Sequence, residues 1–149
     1  MRGNTRRDVP PSMAFRTEEK VRFSDIDGMG HVNNAIFMTY METARTEYYM
    51  ALTGNRKLEE MGFILAQICC DFESPLFLGE TVLVEVWPTR IGNTSFGLAY
   101  RLTEKGSGRL IAQGESVQVA YDYRQRTKVP IPPGLRGRLE SEMASGVPQ

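Results

Sequence analysis

The stretch IFMTYMETARTEYYMAL, residues 36–52, decides which fold this chain adopts. Its apolar residues recur at the 3.6-residue period of an α-helix, at positions 36, 37, 40, 41, 44, 48, 51 and 52. Gly54 and Asn55 follow directly and are typical of a helix end. The pattern therefore predicts one amphipathic helix of about five turns, with a single apolar face to bury.

Everything after Gly62 is typical of antiparallel strands. The clearest case is SFGLAYRLT, residues 95–103, where large apolar side chains alternate with small or polar ones. Glycine, proline and asparagine residues mark the turns between the apolar stretches. The pattern predicts four strands, at about 63–73, 80–91, 94–104 and 109–123.

One more strand is predicted from Ala14 to about Ile26, and one short helix at 135–143. A single long helix among five strands can bury its apolar stripe only by lying on one face of a curled sheet, which is an α+β arrangement. The length is that of a single domain. We expect a disordered tail at 1–12, the folded domain at 13–140 and a flexible tail at 141–149.

The charges balance, with 18 Lys and Arg against 18 Asp and Glu. A net charge of zero gives no general attraction to nucleic acid or to an anionic membrane. No stretch approaches the roughly 20 continuous apolar residues of a membrane span. The N-terminal MRGNTRRDVPPS lacks the apolar segment of a secretory signal. We therefore expect a cytoplasmic protein that binds neither nucleic acid nor membrane.

Potential metal ligands are few, because the chain has one histidine and two adjacent cysteines, Cys69 and Cys70. Neighbouring residues in a strand point to opposite faces, so these cysteines are expected to be small core and surface residues. A zinc site needs three or four suitably spaced ligands. We expect no metal ion and no other cofactor.

The ten residues DIDGMGHVNN, 25–34, directly precede the helix and are unusually polar. One interpretation is a loop in which Asp and Asn cap turns and the helix start. The other is an active site, because two carboxylates that continue a core-facing row from Val21 and Phe23 are costly to bury without hydrogen bonds. We expect Asp25 to be structural and to accept hydrogen bonds from the loop 28–30.

The longer stretch RFSDIDGMGHVNNAIFMTYMETARTEYY, residues 22–49, resembles the signature of the hotdog-fold thioesterases of the 4-hydroxybenzoyl-CoA thioesterase type. That signature runs D-x-D, a glycine-containing loop, H-V-N-N in many members, and E-x-A-R on the central helix. Two further stretches are similar to the family's connection between its second and third strands and to its closing segment: PLFLGETVLVEV (75–86) and TKVPIPPGLRGRLE (127–140).

The resemblance implies a hotdog fold, a five-stranded antiparallel sheet of order 1-3-4-5-2 wrapped around one long central helix. It also implies an enzyme that hydrolyses acyl-CoA or acyl-carrier-protein thioesters, assembled as a homodimer with one continuous sheet or as a tetramer of two such dimers. The second strand, FILAQICC at 63–70, is apolar and lies at the sheet edge in this order. Soluble proteins pair or cover such edges, which also favours a dimer.

The resemblance assigns roles to three residues of the loop. Asp27 matches the catalytic carboxylate, and the backbone amides of Asn33 and Asn34 match those that polarise the thioester carbonyl at the start of the central helix. A helix N-terminus suits that role, because its N–H groups are unpaired and its dipole favours negative charge. Asp27 can attack the carbonyl carbon or act as general base on water, and both mechanisms stay open.

Plant acyl-carrier-protein thioesterases share the H-V-N-N loop and have an asparagine two residues after this aspartate and a histidine four after it. Here Met29 and His31 occupy those positions, so the histidine is kept and the asparagine is replaced. Two roles stay open for His31: support of the loop by hydrogen bonds, and direct catalysis, for which its ordinary pKa of about 6.5 is suitable. We expect Met29, Val32 and Phe37 to contact the acyl substrate.

Two other functions are compatible with a hotdog fold. One is a non-catalytic acyl-binding module, which does not need an acid at the position of Asp27. The other is a hotdog dehydratase, of which H-V-N-N is not the signature. The presence of Asp27 therefore favours thioester hydrolysis.

Overall fold

An antiparallel sheet makes up most of the protein in the computed structural model, which describes residues 14–145. The strands neighbour one another in the order β1-β3-β4-β5-β2, which confirms the expected order, and β6 pairs with β5. The strands are β1 (Phe15–Lys20), β2 (Phe63–Phe72), β3 (Thr81–Ile91), β4 (Ser95–Glu104), β5 (Leu110–Asp122) and β6 (Thr127–Lys128).

The sheet has six strands, so the expected number of five is wrong. The additional strand β6 is two residues long and pairs with the end of β5. The chain folds back there because the Asp122 carboxylate accepts hydrogen bonds from the backbone N–H groups of Arg124 and Gln125. Two residues are too few to show an alternating pattern, which is why β6 leaves no signal in the sequence.

The long helix α1 spans Asn34–Thr53, which confirms the helix predicted from the 3.6-residue period of the sequence. It ends at Gly54, which adopts the left-handed conformation with φ of 70° and donates its N–H to the Met50 carbonyl. One face of α1 packs against the sheet in the main core. The buried residues of the helix are Phe37, Tyr40, Met41, Ala44, Arg45, Tyr48 and Leu52.

Strand β1 ends at Lys20, well before the expected end near Ile26. A 3₁₀ turn, Phe23–Asp25, follows instead. The turn closes because the Asp25 carboxylate accepts the Arg22 N–H at 2.9 Å. Strand alternation predicted that Phe23 and Asp25 face the core in one row. This prediction is wrong, since Phe23 is 83% exposed whereas Asp25 is 2% exposed.

A second helix, α2, spans Pro133–Ser145 and is longer than the predicted 135–143. Leu135 and Leu139 bury one side of it in the main core. Proline is well suited to the first turn of a helix, which explains the earlier start. Residues 141–145 belong to this helix. The tail predicted at 1–12 lies outside the described residues.

The close contact between α1 and the sheet depends on Gly114 of β5. A Cβ atom at this position would lie 2.9 Å from the Met41 sulfur and 2.8 Å from the Cys69 carbonyl oxygen. Only the absence of a side chain lets α1 approach the strand so closely. The start of α1 is held by the segment that precedes it, and this segment contains the polar loop.

Candidate active site

The polar loop is a small hairpin that runs directly into α1. Ile26 and Val32 form an antiparallel bridge. Between them the Asp27 N–H donates to the His31 carbonyl at 3.1 Å, and the Gly30 N–H donates to the Asp27 carbonyl at 3.0 Å. Gly30 has a φ of 84°, a conformation that favours glycine. The hairpin thus fixes the backbone of Asp27 a short distance before the helix.

The Asp27 side chain uses one of its two carboxylate oxygens to stabilise this turn. Its Oδ1 accepts the Met29 N–H at 2.8 Å, which is an Asx turn. No donor within residues 14–145 bonds the second oxygen, and the side chain is partly exposed. The capping and the catalytic interpretations of Asp27 are therefore compatible, because capping occupies one oxygen and leaves the other available.

The start of α1 offers one open backbone donor, at Asn34. Asn33 is the N-cap, and its side-chain oxygen accepts the Ala35 N–H at 2.9 Å. The Asn33 N–H itself is donated to the Asp25 carbonyl at 2.9 Å. No acceptor within the described part of the chain bonds the Asn34 N–H. Of the two amides that the resemblance selects, the Asn34 amide is the one left to meet a substrate.

Asp25 supports the loop, but not in the way that its sequence position suggests. Its carboxylate accepts the Tyr40 hydroxyl at 2.8 Å and the Arg22 N–H, and the Arg22 guanidinium lies 3.5 Å away. The expected hydrogen bonds from the loop 28–30 are wrong, because Asp27 accepts from that loop instead. Burial alone would raise the pKa of Asp25, but the hydrogen bonds and the Arg22 charge outweigh it and hold the pKa below its ordinary value.

His31 is partly buried. The Nδ1 atom is 3.2 Å from the Val32 carbonyl oxygen, so a ring protonated at Nδ1 donates a hydrogen bond there. Its backbone carbonyl accepts the Asp27 N–H. His31 is thus tied to the catalytic candidate through the backbone, which fits the supporting role.

The three residues expected to contact substrate do not share one environment. Val32 is 1% exposed and Phe37 is 2% exposed, and both belong to the main core. Phe37 packs edge-on against Phe72 of β2, with ring centroids 5.5 Å apart. Met29 is 79% exposed at the tip of the hairpin. Only Met29 of the three has its side chain at the surface of the chain.

Sequence reasoning missed an apolar surface near this loop. Phe23, Phe77 and Leu78 are exposed large apolar residues, like Met29. The segment that carries Phe77 and Leu78 joins the loop through the Val32 N–H, which donates to the Leu76 carbonyl at 2.8 Å. Exposed large apolar residues mark a binding surface where they lie together, and Phe77 and Leu78 are adjacent in the sequence. The signal in the sequence is the apolar PLFLG within a turn, where polar residues are usual.

Neither a metal cluster nor a membrane helix is present among residues 14–145. No three His, Cys, Asp or Glu side chains in this part of the chain are arranged to hold a metal ion. None of its helices is both long enough and apolar enough to cross a membrane.

Comparison with known proteins agrees with the resemblance. The family model described as the thioesterase-like superfamily matches residues 21–139. The chain belongs to the thioesterase-like superfamily. The match includes the hairpin, α1 and the sheet beyond β1. A solved predicted thioesterase from Bacillus stearothermophilus is 27% identical with a TM-score of 0.80, covering 86% of this chain and 95% of that one.

Relatives of the chain include proteins that are named as hydrolases of a CoA ester. A 1,4-dihydroxy-2-naphthoyl-CoA hydrolase of Nostoc punctiforme is 27% identical over 133 residues, 87% of this chain and 88% of that protein. A protein of the same name in Thermosynechococcus vestitus is 30% identical over 131 residues, 83% of this chain and 87% of that protein. A thioesterase of Thermus thermophilus, solved with coenzyme A and Zn, is 35% identical with a TM-score of 0.75, covering 83% of this chain and 95% of that one.

Proposed function

We propose that the protein is an acyl-CoA thioesterase, which hydrolyses its substrate to a free acid and CoA. Asp27 supplies the nucleophile or the general base, and the N-terminus of α1 polarises the thioester carbonyl. The observation that carries this proposal is a half-free carboxylate in a hairpin that runs directly into a helix start with an open N–H. The bridge between Ile26 and Val32 and the bond from Asn33 to Asp25 hold the two groups in a fixed relation.

The Asn34 N–H and the positive end of the α1 dipole act on the carbonyl oxygen. Negative charge develops on this oxygen as the carbonyl carbon is attacked, and a preorganised donor stabilises it more in the transition state than in the ground state. The Asn33 side chain supports this geometry, because it caps the helix and keeps the first turn in place.

Asp27 can act in two ways that differ in one bond. As nucleophile, its free oxygen forms a mixed anhydride with the acyl group and expels the CoA thiolate, and water then cleaves the anhydride to give the acid. As general base, it takes a proton from water while that water attacks the carbonyl carbon. Single-turnover hydrolysis in H₂¹⁸O identifies the nucleophilic route when ¹⁸O enters the Asp27 carboxylate, because this requires water to attack the Asp27 carbonyl carbon of the anhydride.

The remaining candidates have supporting or binding roles. His31 closes the hairpin that holds Asp27, and catalysis by its ring is the alternative. Met29 lies at the surface next to Asp27 and contacts the acyl-CoA directly. Val32 and Phe37 shape the site from within the core, where they position the start of α1.

Coenzyme A is favoured as the carrier over acyl-carrier protein. The named relatives act on a CoA ester, and a solved relative holds coenzyme A. Their common substrate name also favours an aromatic acyl group over an aliphatic one. The test is a panel of aromatic and aliphatic acyl-CoAs, each followed by free thiol release, with enoyl-CoA hydration measured as the dehydratase control. Hydrolysis supports the proposal, whereas binding of acyl-CoA without thiol release on the whole panel contradicts it.

The same proposal includes a homodimer, or a tetramer of two dimers. In the single chain β2 is an edge strand, and Leu65 in it is 42% exposed. Pairing of β2 with β2 of a second copy gives the backbone N–H and C=O groups of this edge hydrogen-bond partners and continues the sheet across both copies. Light scattering at micromolar concentration tests the assembly, and the mass of one chain contradicts it.

A non-catalytic acyl-binding module is the second candidate. The observation in its favour is that Asp27 already has a structural task, because it caps the turn before Met29. Such a module predicts tight acyl-CoA binding with no hydrolysis, so the acyl-CoA panel separates it from a thioesterase.

A further inference from the structure

Seven large apolar side chains are exposed in the part of the chain that the structure describes, and five of them lie on segments near the start of α1. Phe23 and Met29 lie between β1 and α1, and Phe77 and Leu78 lie in the turn between β2 and β3. The fifth, Phe72 at the end of β2, packs edge-on against the first turn of α1. Single exposed apolar residues are normal, whereas several beside one site indicate a binding surface.

The turn between β2 and β3 is joined to the loop before α1 at both of its ends. The Val32 N–H donates to the Leu76 carbonyl at 2.8 Å, and the Val21 N–H donates to the Glu80 carbonyl at 3.0 Å. Val32 comes two residues before Asn34, whose N–H is the open donor of the candidate site. Backbone hydrogen bonds therefore hold this turn beside the start of α1.

Hydrogen bonds also fix the inside of this turn, which we call the 76–80 turn. The Glu80 carboxylate accepts the Phe77 N–H at 2.8 Å, and the Arg109 guanidinium donates to its two oxygens at 3.0 and 3.1 Å. The Arg109 guanidinium also donates to the Pro75 carbonyl at 3.0 Å. Because the turn is held at several points, its side chains are preorganised, which lowers the entropy cost of binding to them.

The 76–80 turn presents two large side chains to solvent, Phe77 and Leu78, which are 43% and 55% exposed. Neither side chain has a polar atom, so an apolar group is the ligand that gains by covering them. An acyl-CoA offers such a group in its acyl part, because the CoA part carries phosphates and amides. The acyl part also begins at the carbonyl on which the Asn34 N–H is proposed to act.

We propose that the 76–80 turn selects the acyl group, with Phe77 and Leu78 in contact with its apolar body. The protein then prefers acyl groups with a long chain or a large aromatic ring over short ones. This inference rests on the acyl-CoA thioesterase of the proposed function and adds the residues that choose among its substrates. The turn contacts the acyl body and not the reacting carbonyl, so it acts on KM and not on kcat.

Two substitutions of similar size at Leu78 separate polarity from volume. Leu78→Gln makes the end of the side chain polar, whereas Leu78→Met, the matched control, keeps it apolar. The side chain is more than half exposed, so neither change disturbs the core, and circular dichroism verifies the fold of each variant. KM and kcat are measured for straight-chain esters from butanoyl-CoA to dodecanoyl-CoA, and for benzoyl-CoA and naphthoyl-CoA.

We expect Leu78→Gln to raise KM for dodecanoyl-CoA and naphthoyl-CoA by about tenfold, because covering the exposed part of a leucine contributes about this factor. KM for butanoyl-CoA should stay within about twofold, since a short chain does not reach the turn. Leu78→Met should resemble the wild type on the whole series. Phe77→Gln, added to Leu78→Gln, should raise KM for the large acyl groups further, and kcat should be unchanged in each case.

Three results overturn the proposal. Equal KM values in Leu78→Gln and Leu78→Met on the whole series show that the turn does not contact the acyl group. A rise that is the same for every acyl group assigns the turn to the CoA part. A smaller mass of Leu78→Gln than of the wild type in light scattering assigns the turn to a contact between copies.

Failure of the hydrolase proposal is distinguishable from these results, because the wild type then releases no thiol from any acyl-CoA. In that case dissociation constants from calorimetry replace KM for the same esters and variants. A dissociation constant that rises in Leu78→Gln only for the large acyl groups still supports contact between the turn and the acyl group, and equal values in the two variants overturn it.

Discussion

Replacement of Tyr40 by phenylalanine measures how much the hydrogen bond between Tyr40 and Asp25 contributes to the stability of the fold. The Tyr40 hydroxyl donates to the Asp25 carboxylate at 2.8 Å, and both residues are 2% exposed. A hydrogen bond to a charged group contributes about 1.5–3 kcal/mol, and water cannot readily replace this one. For a chain of this size, each kcal/mol changes Tm by about 2–4 °C, so Tyr40→Phe should lower Tm by about 3–12 °C.

The loss should depend on pH. The pKa of Asp25 is held below its ordinary value of 3.8, in part by Tyr40. A carboxyl whose pKa is lower in the folded state stabilises the fold above its unfolded pKa, and this contribution is lost as pH falls through the folded value. The Tm difference between Tyr40→Phe and wild type should therefore be full at pH 7 and decrease below about pH 4.

Thermal unfolding followed by circular dichroism from pH 3 to pH 8, at one protein concentration, measures both effects. The matched control is Tyr48→Phe, because Tyr48 is 3% exposed and its hydroxyl bonds no described residue. Removal of that hydroxyl should leave Tm unchanged or raise it. If Tyr40→Phe and Tyr48→Phe melt alike at pH 7, the argument about Asp25 is wrong.

Three further substitutions test the loop and its support. His31→Gln should keep kcat within about tenfold of wild type, because an amide can replace one hydrogen bond, whereas a loss of about a thousandfold with the fold intact assigns the ring a catalytic role. Gly30→Ala should lower the free energy of unfolding by about 1 kcal/mol or more, since φ is 84° there, and unchanged chemical denaturation contradicts the turn geometry. Gly114→Ala should cost about 1–3 kcal/mol by overpacking against Met41, and a wild-type Tm shows that the helix can move away at little cost.

The elements with long periodic patterns were predictable from the sequence. The helix α1 follows from the 3.6-residue recurrence of its apolar residues, and β4 follows from strict alternation, because burial of one face imposes these periods. The order of the strands came from the resemblance and not from periodicity. Alternation says which face of a strand is buried, but not which strand lies beside it.

The elements set by local hydrogen bonds were not predictable. The alternating pattern continues past Lys20, yet the chain turns there because Asp25 accepts the Arg22 N–H. β6 forms because Asp122 binds two backbone amides. In both cases one carboxylate redirects the chain, and which donors it meets depends on contacts that a single sequence does not display.

The residues of the candidate site were predictable from the sequence, but several of their hydrogen bonds were not. Asp27 and the helix start lie where the motif places them, but the motif does not show that the Asn33 N–H is already donated to Asp25. It also does not show that Arg45 turns inward and donates a hydrogen bond to the Tyr100 hydroxyl. These details depend on the packing of α1 against the sheet, which the pattern of one helix cannot specify.

The most direct test of the central claim is the kcat of Asp27→Asn on an acyl-CoA that the wild type hydrolyses, measured together with Tm. Asparagine has nearly the same shape and can still cap the turn, but it can neither attack the carbonyl nor accept a proton from water. We predict a kcat lower by about a hundredfold or more with little change in Tm, since this is the scale of losing a positioned base. Asp25→Asn, the matched control, should lower Tm more than Asp27→Asn does. Hydrolysis by Asp27→Asn at the wild-type rate would contradict the catalytic role of Asp27.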